Sequence, residues 1–355
     1  MNTKTVIITG PQQLEIRDFP LPVLQPGQVL VKTHAVGLCT LEQRLYRGSP
    51  PESYPFLGGH EVSGEVIQVG PDAATDAREG DLVALALLTR CGSCYYCRRG
   101  MDNLCVNNSR VLPGAIPGPA GLSEYVIARD YQVYKPETPA VADTAHWACE
   151  LALAEPVACV VRSVQGPPLR LGDVAIVQGA GVMGLLHVQM LKLRGARVLV
   201  SEPDVHRQSV ARSYGADWVI DPFQVPLDEY SRVCTGGVGA AAAFYTAGGA
   251  PAIEQAAHSL AKGGWLSLYG SMHPDGPLPL TVNDIHYREL VIAGFFGHTR
   301  ASFAQAVTLI SHRQVDMRPL ISECISFSQV DLAFRKATAP GTFRVLVMFN
   351  EPPPG

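Results

Sequence analysis

The chain has 355 residues, of which 47% are hydrophobic and 17% are charged. One hydrophobic core stops growing at roughly 250 to 300 residues, so this length predicts two domains. The formal net charge of -4 leaves no basic surface for nucleic acid or an anionic membrane, and it favours a small-molecule partner.

The N-terminal apolar run is too short for an export signal, because Gly10 and Pro11 interrupt it before a signal-peptide core could form. No later run approaches the roughly 18 apolar residues that a membrane-spanning helix needs. We therefore expect a cytoplasmic protein. In a reducing compartment its nine cysteines are candidates for metal binding or catalysis and not for disulfides.

Short strands dominate the first third of the chain. Runs such as KTVIITG, QVLVKTHAVG and EVSGEVIQVG are β-branched or alternate between apolar and polar residues. Pro, Gly and Asp separate these runs at intervals of about 8 to 20 residues, as turns do. The pattern predicts a small barrel or sandwich of antiparallel strands.

Four cysteines form one lobe, CGSCYYCRRGMDNLC, with C-x2-C-x2-C-x7-C spacing. They are Cys91, Cys94, Cys97 and Cys105. Four thiolates commonly hold a tetrahedral structural Zn²⁺, and such a closed site has no position left for substrate. An iron–sulfur cluster is an alternative, although the spacing is not the usual ferredoxin run. Four free thiols are another.

Strands alternate with helices from about residue 170. VAIVQGAG and RVLVSE have the pattern of buried strands, whereas LLHVQMLKLRG and RQSVARSYGAD have helical spacing. This alternation predicts an α/β domain of the Rossmann type, with helices on both faces of a parallel sheet. A helix, ASFAQAVTLISH, and a strand, FRVLVMFN, follow Gly297.

The turn after the first of these strands carries a G-x-G-x-x-G pattern. Its glycines are Gly179, Gly181 and Gly184, and Val182 and Met183 lie between the last two. The glycines permit a tight turn, a close approach of the backbone to a pyrophosphate, and close packing of helix on strand. The following helix N-terminus offers N–H groups to the phosphates, so the segment predicts a dinucleotide site.

Glu202 closes the second strand, RVLVSE, about twenty residues further on, where an acidic residue accepts hydrogen bonds from the adenosine ribose. A carboxylate there repels a 2′-phosphate, so the sequence favours NAD over NADP. A solvated charge at a strand end is the alternative interpretation.

A second set of potential metal ligands is spread along the chain. It comprises Cys39 in VGLCT, His60 and Glu61 in GGHEVSGEVIQVG, and Glu155 in ALAEPVACVV. Cysteine, histidine and carboxylate all bind zinc, and a catalytic zinc keeps one position open for water or substrate. Spacing alone does not distinguish these residues from ordinary structural ones.

These motifs occur together in the order and at about the spacing seen in one enzyme family. GGHEVSGEVIQVG, the four-cysteine lobe, LAEPVA, GAGVMG and SEPDVHR resemble the zinc-containing medium-chain dehydrogenases. The resemblance is to their polyol branch in particular, which includes sorbitol and threonine dehydrogenases. It covers essentially the whole chain.

The resemblance implies a GroES-like β-barrel catalytic domain around an inserted Rossmann domain, with the substrate cleft between them. The implied barrel spans 1–155 with the structural-zinc lobe at 91–105, the NAD-binding domain spans 156–296, and 297–355 return to the catalytic domain. Two zinc ions per chain, NAD, and a homodimer or homotetramer are implied as well.

Roles for single residues also come from the resemblance. Cys39, His60 and a carboxylate from Glu61 or Glu155 would bind the catalytic zinc. Zinc would act as a Lewis acid on the alcohol or carbonyl oxygen while hydride passes between the adjacent carbon and the nicotinamide.

Three further positions match supporting residues of the family. Glu42 would orient the zinc-bound histidine and fix its tautomer. Arg207, in SEPDVHR, would lie beside the adenosine ribose, and Arg344, in TFRVLVMF, near the pyrophosphate.

The chain departs from the family pattern where a proton relay is expected. The family has Ser or Thr two residues after the zinc cysteine, where this chain has Leu41. The hydroxyl of Thr40 is a candidate catalytic group, although it is one residue off in register. Arg44 replaces the histidine that often ends the relay, and an arginine with a pKa above about 12 is a poor proton shuttle. The proton route is therefore left open.

A second departure follows the strand GFFG. Sorbitol dehydrogenases carry an Arg-Tyr pair that contacts the polyol here, but this chain has Gly297 and His298. Sorbitol is therefore a poor candidate substrate. His298 could contact substrate or accept a proton, although a histidine that opens a helix is commonly a surface residue.

The leading hypothesis is a zinc- and NAD-dependent dehydrogenase of a polar secondary alcohol, such as a polyol, cyclitol or sugar derivative. One alternative is a carbonyl or biosynthetic reductase of the same fold, for which the missing hydroxyl at Leu41 is the motive. The other is a zinc- and nucleotide-binding protein whose active site has decayed. Joint retention of four candidate zinc ligands counts against decay.

Overall fold

The computed structural model describes residues 1–49, 54–108, 115–137 and 144–350. Its strands are β1 (Asn2–Gly10), β2 (Gln13–Pro20), β3 (Gln28–Gly37), β4 (Phe56–Leu57), β5 (Glu61–Val69), β6 (Leu82–Leu85), β7 (Tyr125–Arg129), β8 (Val133–Tyr134), β9 (Val174–Gln178), β10 (Arg197–Ser201), β11 (Trp218–Ile220), β12 (Ala240–Tyr245), β13 (Leu260–Leu268), β14 (Val291–Gly294), β15 (Ile321–Ser326) and β16 (Arg344–Met348).

The helices are α1 (Thr40–Arg47), α2 (Thr144–Ala152), α3 (Ala154–Val164), α4 (Val182–Leu193), α5 (Val205–Ser213), α6 (Leu227–Cys234), α7 (Gly249–His258), α8 (Val282–Arg288), α9 (Arg300–Ser311) and α10 (Val330–Ala337). Across the part of the chain that the structure describes, no helix combines the length and apolar character needed to cross a membrane.

The chain folds into two compact units. The first comprises Met1–Ala158 and His298–Gly355, and the second comprises Cys159–Gly297. A mixed β-rich unit together with a parallel-sheet unit confirms the predicted α/β class.

The first unit is built from the predicted antiparallel strands. β3 pairs with β5 and β7, and β6 pairs with β5 and β8, in a sheet of order β15-β16-β3-β5-β6-β8. β15 and β16 pair in parallel, and β16 pairs antiparallel with β3, so the C-terminal segment joins the sheet that the N-terminal strands begin. A smaller sheet has the order β2-β1-β4, and alternate apolar side chains of these strands form one core.

The second unit is a parallel sheet of order β11-β10-β9-β12-β13-β14. The strand order reverses at β9, which lies between β10 and β12. In such sheets ligands bind at the carboxyl ends of the strands where the order reverses. Gly179 directly follows β9, so the glycine-rich turn lies at this point.

Candidate functional site

Cys39 is held at the N-terminus of α1. Its Sγ atom accepts a hydrogen bond from Leu41 N at 3.1 Å, and Glu42 Oε2 accepts one from Cys39 N at 3.2 Å. This reciprocal arrangement is a capping box in which a thiol takes the place of the usual hydroxyl. The cap fixes Cys39 and Glu42 relative to each other before any longer-range contact is made.

Glu42 bridges this cap to His60. Its Oε1 atom lies 3.2 Å from His60 Nδ1 and accepts a hydrogen bond from Gly59 N at 2.9 Å. Burial favours the neutral acid, but His60 and the hydrogen bonds outweigh it and lower the pKa of Glu42 to about 2. Glu42 is therefore a fully buried carboxylate that contacts Nδ1 of His60, as its predicted orienting role requires.

The candidate ligands form two overlapping groups of three and not one group of four. Donor atoms of Cys39, Glu42 and His60 lie within 4.8 Å of one another, as do those of His60, Glu61 and Glu155. Both groups share His60. Thiol, imidazole and carboxylate are a donor set that suits zinc.

Glu61 supplies a buried carboxylate with one oxygen engaged. Its Oε1 atom lies 2.8 Å from Arg344 Nη2, and Oε2 is buried without a hydrogen-bond partner among the described residues. Burial raises the pKa of Glu61 to about 7 although Arg344 opposes this shift. Burial likewise raises the pKa of the Cys39 thiol, to about 11. A bound cation would favour the deprotonated form of both groups, so the site suits a metal ion.

Arg344 holds the strand β16 against this cluster. Besides Glu61, it donates a hydrogen bond from Nη1 to Leu38 O at 3.1 Å, and it is 4% exposed. Sequence reasoning missed the pair with Glu61. Its predicted place near the pyrophosphate stays a prediction.

The surface interpretation of His298 is wrong, because this residue is 2% exposed. Its Nε2 atom lies 4.0 Å from Glu155 Oε1 and its Nδ1 atom lies 3.4 Å from Thr299 O. Arg90, which the sequence did not single out, donates a hydrogen bond from Nη2 to His298 O at 2.9 Å. Thr299 caps α9 and keeps His298 out of the helix, so the ring lies at the edge of the candidate metal cluster.

The positions of the expected proton relay contain no continuous chain of hydroxyl groups. Leu41 packs against the core of the first unit, and Thr40 is exposed in the first turn of α1. Arg44 lies one turn further along the same helix. The side chain at position 41, two residues after Cys39, is therefore a hydrocarbon and cannot carry a proton.

The four-cysteine lobe is compact. The sulfur atoms of Cys91, Cys94, Cys97 and Cys105 lie within 4.8 Å of one another. Backbone N–H groups donate hydrogen bonds to three of these sulfurs. For example, Cys94 N donates to Cys91 Sγ at 3.3 Å, and Asn107 N donates to Cys105 Sγ at 3.4 Å. Burial raises the pKa of Cys97 to about 12, whereas a separate hydrogen bond from the side chain of Asn107, together with other donors, lowers the pKa of Cys91 to about 5. Such donors stabilise thiolates, which are the form that binds zinc.

The glycine-rich turn has the shape that a pyrophosphate requires. Gly179 has φ of 87°, a left-handed conformation that favours glycine. A Cβ atom on Gly184 would lie 1.9 Å from Gly179 O, whereas one on Gly181 would have only Arg207 Nη1 within 4 Å, at 3.9 Å. Gly181 thus leaves open space in front of α4, which begins at Val182 and continues through Met183.

Glu202 is tied to this turn. Its Oε2 atom accepts a hydrogen bond from Ala180 N at 2.6 Å, and its Oε1 atom accepts one from Asp204 N at 2.9 Å. It is 4% exposed, which argues against the interpretation as a solvated charge. Arg207 follows in the first turn of α5.

Comparison with known proteins adds to this geometry. The family described as alcohol dehydrogenase GroES-like domain matches residues 25–139, and that described as zinc-binding dehydrogenase matches 182–312. A 2-dehydro-3-deoxy-L-galactonate 5-dehydrogenase of Pseudoalteromonas atlantica is 30% identical over 329 residues, covering 92% of this chain and 93% of that protein. The chain belongs to the zinc-binding dehydrogenase family.

Other proteins similar to this dehydrogenase are described as dehydrogenases as well. An L-threonine 3-dehydrogenase of Pyrococcus abyssi is 29% identical and covers 98% of this chain and 97% of its own. A putative zinc-binding dehydrogenase of Sinorhizobium meliloti bound to NADP is 26% identical, with a TM-score of 0.85 over 98% of this chain and 99% of that chain. The predicted family, the fold and the assignment as an alcohol or polyol dehydrogenase are confirmed.

A further solved structure is relevant to the cofactor. A protein of Escherichia coli described as a short chain alcohol dehydrogenase and complexed with NADH is 26% identical, with a TM-score of 0.86 over 98% of this chain and 99% of that chain. The two cysteine-containing clusters of this dehydrogenase are compatible with a structural and a catalytic zinc.

Proposed function

We propose that this dehydrogenase oxidises a polar secondary alcohol, such as a polyol, cyclitol or sugar derivative, with NAD as hydride acceptor. The observation that carries the proposal is the buried cluster around His60, which combines a thiol, an imidazole and carboxylates. Named relatives that act on hydroxylated sugar acids and threonine support a polar substrate class.

We assign the catalytic zinc to Cys39 and His60, with Glu61 or Glu155 as carboxylate ligand. When bound, zinc supplies Lewis acidity toward the alcohol or carbonyl oxygen. Glu42 presents His60 through Nδ1, which leaves Nε2 as the ring atom for the metal. Glu61 offers Oε2, since Arg344 occupies Oε1.

The second metal site is assigned to the lobe of Cys91, Cys94, Cys97 and Cys105. Four protein ligands close such a site, so its role is to hold the lobe together and not to meet substrate. Asp102, within the lobe, pairs with Arg300 Nε at 2.9 Å at the start of α9, and this pair ties the lobe to the C-terminal segment of the same unit.

The cofactor is assigned as NAD on the basis of Glu202. Glu202 directly follows β10, and its carboxylate accepts a hydrogen bond from Ala180 N in the turn. A 2′-phosphate on the adenosine ribose would therefore meet a fixed negative charge. Gly181 allows the backbone of the turn to approach the pyrophosphate. When bound, the nicotinamide supplies hydride transfer.

Metal content and a substrate screen test the proposal together. We expect about two zinc ions per chain and reduction of NAD⁺ by members of a polyol and cyclitol panel. A folded chain that retains only the zinc of the four-cysteine lobe would contradict the catalytic-metal assignment. Nucleotide binding without turnover of any alcohol or carbonyl would instead favour the decayed enzyme.

The cofactor assignment has its own test. Glu202→Gln keeps an oxygen that can accept from Ala180 N but removes the negative charge, so we expect the preference for NAD over NADP to fall by about 10-fold or more. Asp217→Asn, directly before β11, alters an acidic side chain that pairs with Lys192 and serves as the control. An unchanged preference in Glu202→Gln would refute the role of this charge.

A reductive direction is the second candidate. Its motive is Leu41, which packs against the core where the family has a hydroxyl. Because both directions move a proton at the same oxygen, this position alone does not set the direction. Comparison of both directions with one alcohol and carbonyl pair, at matched pH, distinguishes the candidates.

A further inference from the structure

Two cysteines outside both metal clusters lie side by side in the first unit. Cys149 Sγ, on α2, is 3.6 Å from Cys324 Sγ, on β15, although the residues are 175 positions apart in sequence. Cys149 Sγ also lies 3.6 Å from Met348 Sδ, on β16. The three sulfurs join a helix to two neighbouring strands.

The geometry points to a modification site: we propose that Cys149 and Cys324 are a redox-active pair that oxidises to a disulfide. A disulfide requires its two sulfurs to lie about 2.05 Å apart. Closure from the observed separation therefore needs the two sulfurs to approach each other by about 1.5 Å. The proposal does not depend on the catalytic function.

Neighbouring ion pairs hold the two thiols together. Glu150, adjacent to Cys149, accepts from Arg318 Nε at 3.0 Å and also pairs with Arg313. Arg318 begins the short helical turn Arg318–Leu320 that leads directly into β15, so α2 is fixed to the segment before the strand that carries Cys324. Groups held in such proximity react at high effective concentration.

The two thiols differ in access. Cys149 is 1% exposed, whereas Cys324 is partly exposed on β15 at the edge of the sheet. The hydrogen bond with Cys149 lowers the pKa of Cys324, which raises its thiolate fraction. Cys324 is therefore the attacking thiol and Cys149 the resolving one.

The oxidant is a small-molecule disulfide of the oxidised-glutathione class. The Cys324 thiolate attacks one of its sulfurs, forms a mixed disulfide and releases one glutathione thiolate. Cys149 then attacks the Cys324 sulfur, and its proton passes to the second departing glutathione thiolate. The protein loses two electrons to the small disulfide, which becomes two thiols.

Peptide mass spectrometry tests the proposal on the full, zinc-loaded chain. After incubation with oxidised glutathione, alkylation of remaining thiols and digestion, we expect a peptide pair joined through Cys149 and Cys324. Its mass should be about 2 Da below the sum of the reduced peptides, and reduction should separate it. Cys234→Ala, which alters a partly buried cysteine of the other unit, should give the same cross-link.

Two variants resolve the order of the steps. Cys149→Ala should stop at a glutathione adduct on Cys324, and Cys324→Ala should leave Cys149 unmodified. If Cys149→Ala does not fold, as judged by circular dichroism, the test rests on the cross-link in wild type and on the unmodified Cys149 in Cys324→Ala. A wild-type adduct on Cys324 without a cross-link, a Cys149 cross-link to another cysteine, or no modification of either thiol would overturn the proposal.

Discussion

At the residue scale, one carboxylate organises the candidate metal cluster. Glu42 contacts His60 Nδ1, Gly59 N and Cys39 N with its two oxygens. Cys39 caps a helix, Gly59 directly precedes His60, and His60 is a candidate metal ligand. Because both oxygens are engaged, Glu42 positions the ligands and is a weaker candidate for a ligand itself.

Replacement of this carboxylate should weaken the catalytic zinc selectively. For Glu42→Gln we expect a loss of about 10- to 100-fold in zinc affinity, because the amide cannot fix the ring through the same charged contact. Competition with a chelator measures the loss, and the zinc of the four-cysteine lobe should remain bound. Glu15→Gln, at an exposed carboxylate paired only locally with Arg17, is the control. Equal zinc affinity in Glu42→Gln and Glu15→Gln would contradict the positioning role of Glu42.

Leu41 offers a test of the missing relay. Leu41→Ser places a hydroxyl two residues after Cys39, and we expect kcat for alcohol oxidation to rise at least about 3-fold, since a well-positioned proton-transfer group contributes roughly 10²- to 10⁴-fold. Leu41→Ala removes the same packing without adding a hydroxyl and should show no rise. Equal rates in the two variants would mean that protons leave by another route.

At the element scale, α4, which follows the glycine-rich turn, carries a buried histidine. His187 contacts Met183 O at 2.7 Å through Nδ1 and Ser163 Oγ at 3.0 Å through Nε2. It is completely buried between the rings of Phe244 and Tyr269. Burial lowers the pKa of His187 to about 4, so it is neutral in the folded protein.

This shift predicts a dependence of stability on pH. The unfolded chain binds a proton on His187 below about pH 6.5 while the folded chain does not, so the free energy of unfolding falls as pH falls from 6.5 toward 4. Between pH 7 and pH 5 we expect a loss of about 2 kcal/mol from this residue. Denaturant titrations should show that His187→Gln lacks this part of the loss.

The exposed His206, on α5 of the same unit, provides the matched control. His206→Gln should retain the wild-type difference between pH 7 and pH 5. If His187→Gln retained it as well, the histidine would not be buried in its neutral form.

Local patterns were predictable from the sequence, whereas contacts between distant segments were not. The glycine-rich turn and the four-cysteine lobe each lie within one short stretch, so spacing alone constrains their geometry. The contact of Arg90 with His298 spans 208 residues, and the pair of Arg344 with Glu61 joins β16 to the start of β5. The tertiary fold, and not local spacing, brings these side chains together.

His298 illustrates the same limit. Its place before α9 predicted a surface residue, because helix starts are commonly exposed. The chain instead re-enters the first unit at this residue, and Phe303, Arg90 and Glu155 enclose it. Tertiary packing therefore overrode the local pattern.

At the scale of the whole molecule, the parallel sheet has an exposed edge. Within the described residues no strand pairs with the outer side of β14. Val291 on this strand is 41% exposed, and the nearby Tyr287 and Val282 of α8 are 71% and 80% exposed. Unpaired edges with apolar neighbours tend to associate, and a two-fold axis would let the same surface of a second copy pair with it.

We therefore predict that two copies of the chain associate along β14. Light scattering should give at least twice the chain mass of 38.1 kDa, and Val291→Lys should weaken the association along β14 by about 100-fold, since a two-fold axis brings two like charges together at a cost of about 3 kcal/mol. Val238→Lys, at a valine that is 69% exposed elsewhere in the same unit, should remain dimeric. A monomeric wild type, or equal dimerisation of the two variants, would exclude β14 as the interface.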